Sequence, residues 1–249
     1  MKYIYIVIII IGIILLNYKE FDNFEYGFKR YTNNQHNIYG DIYTFDASDY
    51  ISGVITNNNI WEEHICKILA DNYVPNTDVL DIGANIGLSS IRMNQINPIS
   101  PGCKIHLFEP QHDVFSILEY NTKNIPRILY NIGLSDKNKI LNFSKKQDNI
   151  GATSMNTIEN NDNIHVMSTY LDNITFERPI SVVKMDVEGG EEDTLNGGLV
   201  FFEKYKPTLI IEIWGKNRDI VLSVLKNMNY IQLWNQKYDY IFKHKSLIK

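Results

Sequence analysis

The chain has 249 residues, 44% of them hydrophobic, and carries a formal net charge of −5. That is enough for one sizeable α/β domain with a short extra segment. No Lys/Arg block stands out, so nucleic acid is not an expected partner, and the two cysteines, Cys66 and Cys103, lack metal-binding or redox spacing.

The N-terminus opens on an unbroken apolar run, Tyr3 to Leu16, set between Lys2 and Asn17-Tyr18-Lys19-Glu20. A bilayer core takes roughly 20 apolar residues, and no small-residue cleavage site follows the run. Three readings stay open: an uncleaved single-pass membrane anchor over residues 1–18, which is preferred, a signal-peptide apolar region, or a buried strand or helix. Lysines on both sides leave the orientation undecided. Residues 19–36, polar and aromatic, read as a linker, and residues 37–249 as the catalytic-sized domain.

Within that domain, 38–56 predicts a short hairpin or irregular strands. Residues 61–70 have helical spacing, with Ile65, Ile68 and Leu69 on one face. From Thr77 onward strands and helices alternate. The pattern predicts strand 78–82, helix 87–96, strand 104–108, helix 112–123 and strand 127–132. A strand pair follows near 139–144 and 163–167, separated by an Asn- and Asp-rich loop at 145–162. Strand 180–186, helix 190–202, strand 207–213, helix 217–228 and final strands near 230–235 and 238–243 complete the series. This alternation predicts an α/β fold with a doubly wound, mostly parallel sheet. The last two strands are joined by a short turn, so one of them runs antiparallel to the rest.

The most informative stretch is Val79-Leu80-Asp81-Ile82-Gly83-Ala84-Asn85-Ile86-Gly87, a buried strand passing through a tight turn into a helix. Gly83 and Gly87 allow positive φ and leave the backbone open to close approach. A helix start presents unpaired N–H groups, so a nucleotide-like cofactor is the expected occupant. In open parallel sheets ligands sit beyond the carboxyl ends of the strands. Asp81 ends the first core strand and Glu109 the second, where an acid can accept hydrogen bonds from ribose hydroxyls. Asp136, after the third strand, is placed to reach a purine amino group. The G-x-G-x-x-G fingerprint of dinucleotide binding is absent, and a carboxylate at Asp81 would repel a diphosphate. An ammonium and a sulfonium would be attracted, which favours S-adenosyl-L-methionine, with Asp81, Gly83, Ala84, Asn85, Gly87, Glu109 and Asp136 as the binding set. A nicotinamide-dependent oxidoreductase is the rival enzyme reading.

Four segments in order resemble the motif set of FkbM-type methyltransferases: Val79 to Gly87, Phe108-Glu109-Pro110, Tyr170-Leu171-Asp172, and Val183-Lys184-Met185-Asp186-Val187-Glu188-Gly189-Gly190-Glu191. The similarity spans roughly residues 60–215. It implies a class I, Rossmann-like methyltransferase fold and S-adenosylmethionine-dependent O-methylation of a small-molecule or carbohydrate acceptor. It also implies that Glu62 or Glu63, ahead of the first core strand, covers the cofactor. The family often has proline where this chain has His112, which is expected to cap the second helix.

Methyl transfer to oxygen requires alignment of the acceptor and removal of a hydroxyl proton. Lys184, Asp186 and Glu188 alternate along one strand and its end and so point to one side. Asp186 is the expected general base or metal ligand, with Glu188 either its partner or a helix N-terminal acid like Glu191. No metal-ligand set is otherwise indicated. Lys184, buried mid-strand, needs a carboxylate, with Asp81 and Glu212 the candidates. Asp172 reads equally as a cap or an acceptor contact. Gly151 and Ser154 are placed in the acceptor loop. His64, His106, His165 and His244 are assigned no chemistry, and Trp61, Trp214 and Trp234 are expected in the core or beside the cofactor. A non-catalytic, membrane-held scaffold on a degenerate methyltransferase fold is the alternative from outside enzymology.

Overall fold

The computed structural model describes residues 29–31, 38–45, 49–57, 60–144 and 163–248. The apolar run at 3–16 and loop residues 145–162, with Gly151 and Ser154, lie outside that set. No helix among the described residues is long and apolar enough to cross a membrane.

The described residues open with β1 (Lys29–Tyr31) and β2 (Ile42–Thr44), an antiparallel pair. The next segment departs from expectation: Tyr50–Thr56 is a helix, α1, not a strand. Its nucleus is local. Asp49 caps the first turn, accepting from the Ser52 N–H at 3.0 Å and hydroxyl at 2.9 Å. Ile51 and Ile55 stand one helical turn apart and are both buried. Then follow α2 (Glu63–Asn72), β3 (Asp78–Ile82), α3 (Leu88–Ile96), β4 (Ile105–Phe108), α4 (His112–Asn121) and β5 (Arg127–Tyr130). Helix α4 starts at His112 with Gln111 as its cap residue, so the cap falls one residue earlier than expected.

The expected strand pair is present as antiparallel β7 (Lys139–Ser144) and β8 (Asn163–Thr169), with a short β6 (Gly133–Leu134) added to β8. The second half supplies β9 (Ile180–Met185), α5 (Glu191–Asn196), α6 (Leu199–Tyr205), β10 (Thr208–Glu212), α7 (Arg218–Asn227), β11 (Tyr230–Gln236) and β12 (Asp239–His244).

The main sheet has seven strands in the order β11-β12-β10-β9-β3-β4-β5. Neighbours from β5 through β10 are parallel, and β12 runs antiparallel to both β10 and β11. The winding reverses between β3 and β9, which places a crevice at their carboxyl ends. Alternation along each strand sorts the side chains. Leu80, Ile82, Phe108, Val183, Met185, Leu209 and Ile211 form one core. Val79, Ile105, Leu107, Val182 and Ile210 form the other, packed with Ile65 and Leu69 of α2 and Met93 of α3. By the same alternation Asp81, Lys184 and Glu212 sit on the second face, toward the carboxyl ends.

The helix predicted over 190–202 is two helices, broken at Gly197 and Gly198. The break has a packing cause. A Cβ at Gly197 would lie 2.0 Å from the Ser135 carbonyl oxygen, so only glycine lets the 135–136 segment close against this turn. The φ of Gly197 is ordinary, at −79°. Gly197→Ala therefore tests packing alone, and it should destabilise the protein by about 2–3 kcal/mol. Urea unfolding measures this directly, and a midpoint equal to the wild type would contradict the packing account.

Candidate active site

The turn from β3 into α3 is built from left-handed residues: Gly83 at φ 81°, Asn85 at 50° and Gly87 at 90°. Asparagine tolerates this region because its short polar side chain bonds locally, and the Asn85 Oδ1 accepts the Ile86 N–H at 2.8 Å. Gly83 answers a close approach. A Cβ there would fall 1.8 Å from the Asp186 carbonyl oxygen, and the Asp186 N–H donates to the Ile82 carbonyl at 2.9 Å. Gly87 instead packs on α4, where a Cβ would meet Thr122 and Leu118.

The N–H groups of this turn are all spent inside the protein. Gly83 and Ala84 both donate to the Phe108 carbonyl, Asn85 to Glu109 Oε2 at 3.1 Å, Ile86 to Asn85, and Gly87 to the Ala84 carbonyl. The turn itself, residues 83–87, therefore offers no free N–H; the helix start expected to present open donors follows it at Leu88.

Glu109 is buried at the end of β4 and accepts from the Asn85 N–H and, at 2.9 Å, from the Gln111 N–H. Burial raises its pKa to about 7 against the pull of those two bonds. Each oxygen keeps a lone pair for a further donor.

Register brings the next group together. Asp81 on β3 is the direct neighbour of Lys184 on β9. The Lys184 ammonium stands 3.2 Å from Asp186 and 3.9 Å from Asp81, and the Ser90 hydroxyl donates to Asp81 at 2.6 Å. Burial alone would lower the Lys184 pKa, but Asp186, Asp81 and Glu62 outweigh it and hold the ammonium charged. Asp186 is thus the principal partner, ahead of the two carboxylates expected from sequence. Burial raises the pKa of Asp81 despite Lys184 and Ser90.

Carboxylate oxygens of Asp186, Glu188 and Glu212 lie within 4.8 Å of one another. Burial and the neighbouring Asp186, to which it is hydrogen-bonded, push Glu212 up to about 9. A bond between two carboxyl groups needs a proton, so the pair is protonated once at neutral pH. Glu62, in the left-handed region at φ 42°, is likewise raised to about 7 by burial.

Two hollows meet at these residues. A crevice over β3 and β4 is lined by Phe108, Glu109, Gln111, Ile132, Leu134 and Leu141. A cavity of about 640 Å³ on the other side is lined by Trp61, Glu62, His64, Glu212, Trp214 and Tyr238, among others. Gly83, Asn85, Asp186 and Glu188 border both.

The structure thus gathers Gly83, Asn85, Glu109, Lys184, Asp186 and Glu188 at the hollows, and Ala84 lines the larger one. Asp81 lies behind, reached through Lys184. Asp136 borders neither hollow: Lys139 holds it at 3.1 Å. Glu63 lines the larger cavity but is bound to Arg92 through two hydrogen bonds of 2.8 Å. Asp172 caps α6, accepting from the Val200 and Phe201 N–H groups, and buried Glu191 accepts from the Gly189 N–H. Sequence reasoning missed Gln111 and the aromatic wall. Trp61 and Trp214 line the cavity, Trp61 while also packing on the core, and Trp214 stacks on Tyr238 at 3.7 Å. His64, given no role, joins that wall and contacts Asp239 at 3.2 Å.

A doubly wound sheet with acids at the ends of β3, β4 and β9 defines a class I methyltransferase-type domain with a Rossmann-like fold. Residues 81–241 match the family described as the methyltransferase FkbM domain, and the chain belongs to that family. Among solved structures it is similar to the methyltransferase FkbM from Methylobacillus flagellatus KT, at 16% identity and a TM-score of 0.49. The alignment covers 71% of this chain and 49% of that one, about half the relative's length. It is also similar to a putative rRNA methylase from Clostridium thermocellum, with 9% identity, 72% and 91% coverage and a TM-score of 0.47. A third is Aeropyrum pernix fibrillarin in complex with natively bound S-adenosyl-L-methionine, with 10% identity, 72% and 73% coverage and a TM-score of 0.43. No curated protein matches the chain significantly.

The buried acids set a pH dependence. Glu62, Glu109 and Glu212 bind their protons more tightly folded than unfolded, so the unfolded chain releases protons first as pH rises. Stability then falls with rising pH. Between pH 7 and 9, above the titration of buried His106, whose pKa burial lowers, the thermal midpoint should drop. Glu212→Gln should reduce that drop, and a midpoint rising over the interval would refute the assignment.

Proposed function

We propose that the protein is an S-adenosylmethionine-dependent O-methyltransferase acting on a hydroxyl of a small molecule or glycan. One observation carries the reading: Asp186 stands on the rim shared by the crevice and the larger cavity, so one carboxylate faces both. We assign the nucleoside end of that cofactor to the crevice from the chemistry of its lining. Glu109 offers lone pairs to ribose hydroxyls, and the apolar walls formed by Phe108, Ile132, Leu134 and Leu141 suit a flat base. The spent N–H groups of the 83–87 turn favour a cofactor without phosphate.

When bound, S-adenosylmethionine supplies a methyl group activated on a sulfonium. The chain's own residues do the rest. Lys184 orients Asp186 and compensates its charge. Asp186 takes the proton that the acceptor hydroxyl loses, while protonated Glu212 steadies it through their shared hydrogen bond. Trp61, Trp214 and Tyr238 offer ring faces to the acceptor in the larger cavity. No divalent metal is invoked. We further propose, from the apolar run Tyr3–Leu16, that the full chain is held at a membrane.

Calorimetry with S-adenosylhomocysteine tests the binding half. Glu109→Ala should weaken affinity at least about tenfold, and a wild-type protein that binds neither this ligand nor S-adenosylmethionine would return the scaffold reading. Asp186→Asn should keep affinity within a few-fold yet lose about 10²-fold or more in turnover with any acceptor found by labelled-methyl screening. Full activity would remove Asp186 as base. In vesicle flotation, the full chain should float and a chain lacking residues 1–36 should not; equal behaviour would overturn the anchor.

A further inference from the structure

The hairpin of β11 and β12 forms one edge of the main sheet and carries an apolar strip that the site does not use. Register fixes its layout. Ile231 stands opposite Lys243, Trp234 opposite Ile241 and Gln236 opposite Asp239, with Leu233 the extra residue of a bulge. Opposed residues share a face, and Asp239 is in turn opposite Glu212 on β10. Ile231, Trp234 and Ile241 therefore lie on the face of the sheet that carries the larger cavity. The strip ends at the rim of that cavity, where Tyr238 stacks on Trp214 and both line it beside Lys237.

Trp214, Ile231, Leu233, Trp234 and Tyr238 are each between 36% and 50% exposed. Single exposed hydrophobics are ordinary, but a run of five along one hairpin marks a surface that meets a partner. Edge strands are usually guarded by charge, and β11, Tyr-Ile-Gln-Leu-Trp-Asn-Gln, carries none. The charge lies beside it. Residues 237–248 hold Lys237, Lys243 and Lys245 against one acid, Asp239, which His64 already meets at 3.2 Å. In a chain of net charge −5 this hairpin is locally basic. Tryptophan and tyrosine favour the headgroup level of a bilayer, and lysines are drawn to the anionic lipids there. A second copy docked about a two-fold axis would instead set these lysines toward their counterparts. The chain itself points to lipid. Only residues 17–28 separate the apolar run Tyr3–Leu16 from β1, a span of no more than about 45 Å when fully extended. A bilayer that holds the run keeps the folded domain close to its surface.

We propose that this strip, from Ile231 and Trp234 to Tyr238 and Trp214, rests on an anionic membrane surface, so that the larger cavity opens toward lipid headgroups. The inference rests on the membrane reading of the apolar run and adds which face of the domain meets the lipid.

Tryptophan emission of the full chain on vesicles of phosphatidylcholine and phosphatidylglycerol tests this. The chain has three tryptophans, Trp61, Trp214 and Trp234, and the apolar run contains none, so the signal reports on the rest of the chain alone. Vesicles whose acyl chains carry bromine should dim the wild-type emission relative to unbrominated ones. Trp234→Phe should lose much of that dimming, while Trp61→Phe, which alters a ring packed on the core, should keep it. Vesicles of phosphatidylcholine alone should quench less than the anionic ones. A wild-type chain that floats with the vesicles yet emits equally with and without bromine overturns the inference, whether or not either variant folds, and leaves the anchor standing. Quenching that is indifferent to phosphatidylglycerol overturns it as well. So does a Leu233→Cys chain that cross-links to a second copy on the vesicles while its tryptophans stay unquenched, which would give the strip to a dimer. A wild-type chain that does not float overturns the membrane reading itself, a result distinct from these.

Discussion

The ammonium of Lys184 is the contact on which the site depends. It lies in the middle of a parallel sheet, where removal from water costs several kcal/mol unless carboxylates compensate. Register supplies the first of these, because Asp81 is its cross-strand neighbour. The second, Asp186, follows two residues along the same chain and is closer, at 3.2 Å. Asp81 is in turn fixed by the Ser90 hydroxyl at 2.6 Å, so the start of α3 is tied to the strand it follows. A line of contacts thus runs from α3 through β3 and β9 to the carboxylate at the rim of both hollows. Gly83 makes the line possible: with any side chain there, β9 could not bring the Asp186 carbonyl so near the turn.

Much of the fold was legible because period and punctuation agreed. Strands β3, β4, β9 and β10 are buried on both faces and read as apolar runs, and Asp81, Glu109, Asp186 and Glu212 fall at or just beyond their carboxyl ends. Where reading failed, a contact between distant residues had decided the outcome. Nothing near Gly197 reveals that the Ser135 carbonyl will press on it, so one helix was expected where two exist. In α1 the apolar residues Ile51, Val54 and Ile55 fit either period, and the Asp49 cap decided for the helix. The local signal was present there and was outweighed by β-branched composition.

The site shows the same division. Glu109, Asp186 and Lys184 could be placed because each closes or interrupts a strand, and strand ends have a known position in a doubly wound sheet. Asp136 could not, because it lies beyond β5 in an irregular segment where Lys139 and Ser135 compete for it. Gln111 was passed over for a different reason. A lone glutamine after Glu-Pro carries no pattern, and its burial and its unpartnered Oε1 appear only in the fold. For the tryptophans the sequence leaves core and site-flanking positions open, because hydrophobicity alone does not separate a core wall from a cavity wall.

The charge balance around the larger cavity explains why so many of its acids hold protons. Glu62, Glu63, Asp186, Glu188, Glu212 and Asp239 line it, while its lysines are Lys184 and Lys237. Asp239 meets His64, and the neighbouring Glu63 is claimed by Arg92. Burial without enough cations leaves Glu62 and Glu212 to relieve the repulsion by retaining protons, which is why both titrate far above an ordinary carboxyl. Such a cluster is mismatched to an anionic ligand, since each added negative charge would strengthen proton retention. It is matched to a cationic one, which would let the same groups ionise and attract it. The sulfonium of the proposed cofactor brings positive charge, and the product left after methyl transfer, a neutral thioether, has lost it. On the proposed reading, the acids that surround Asp186 would favour the charged donor over the spent one, by the same electrostatics that keep Lys184 ionised in the heart of the sheet.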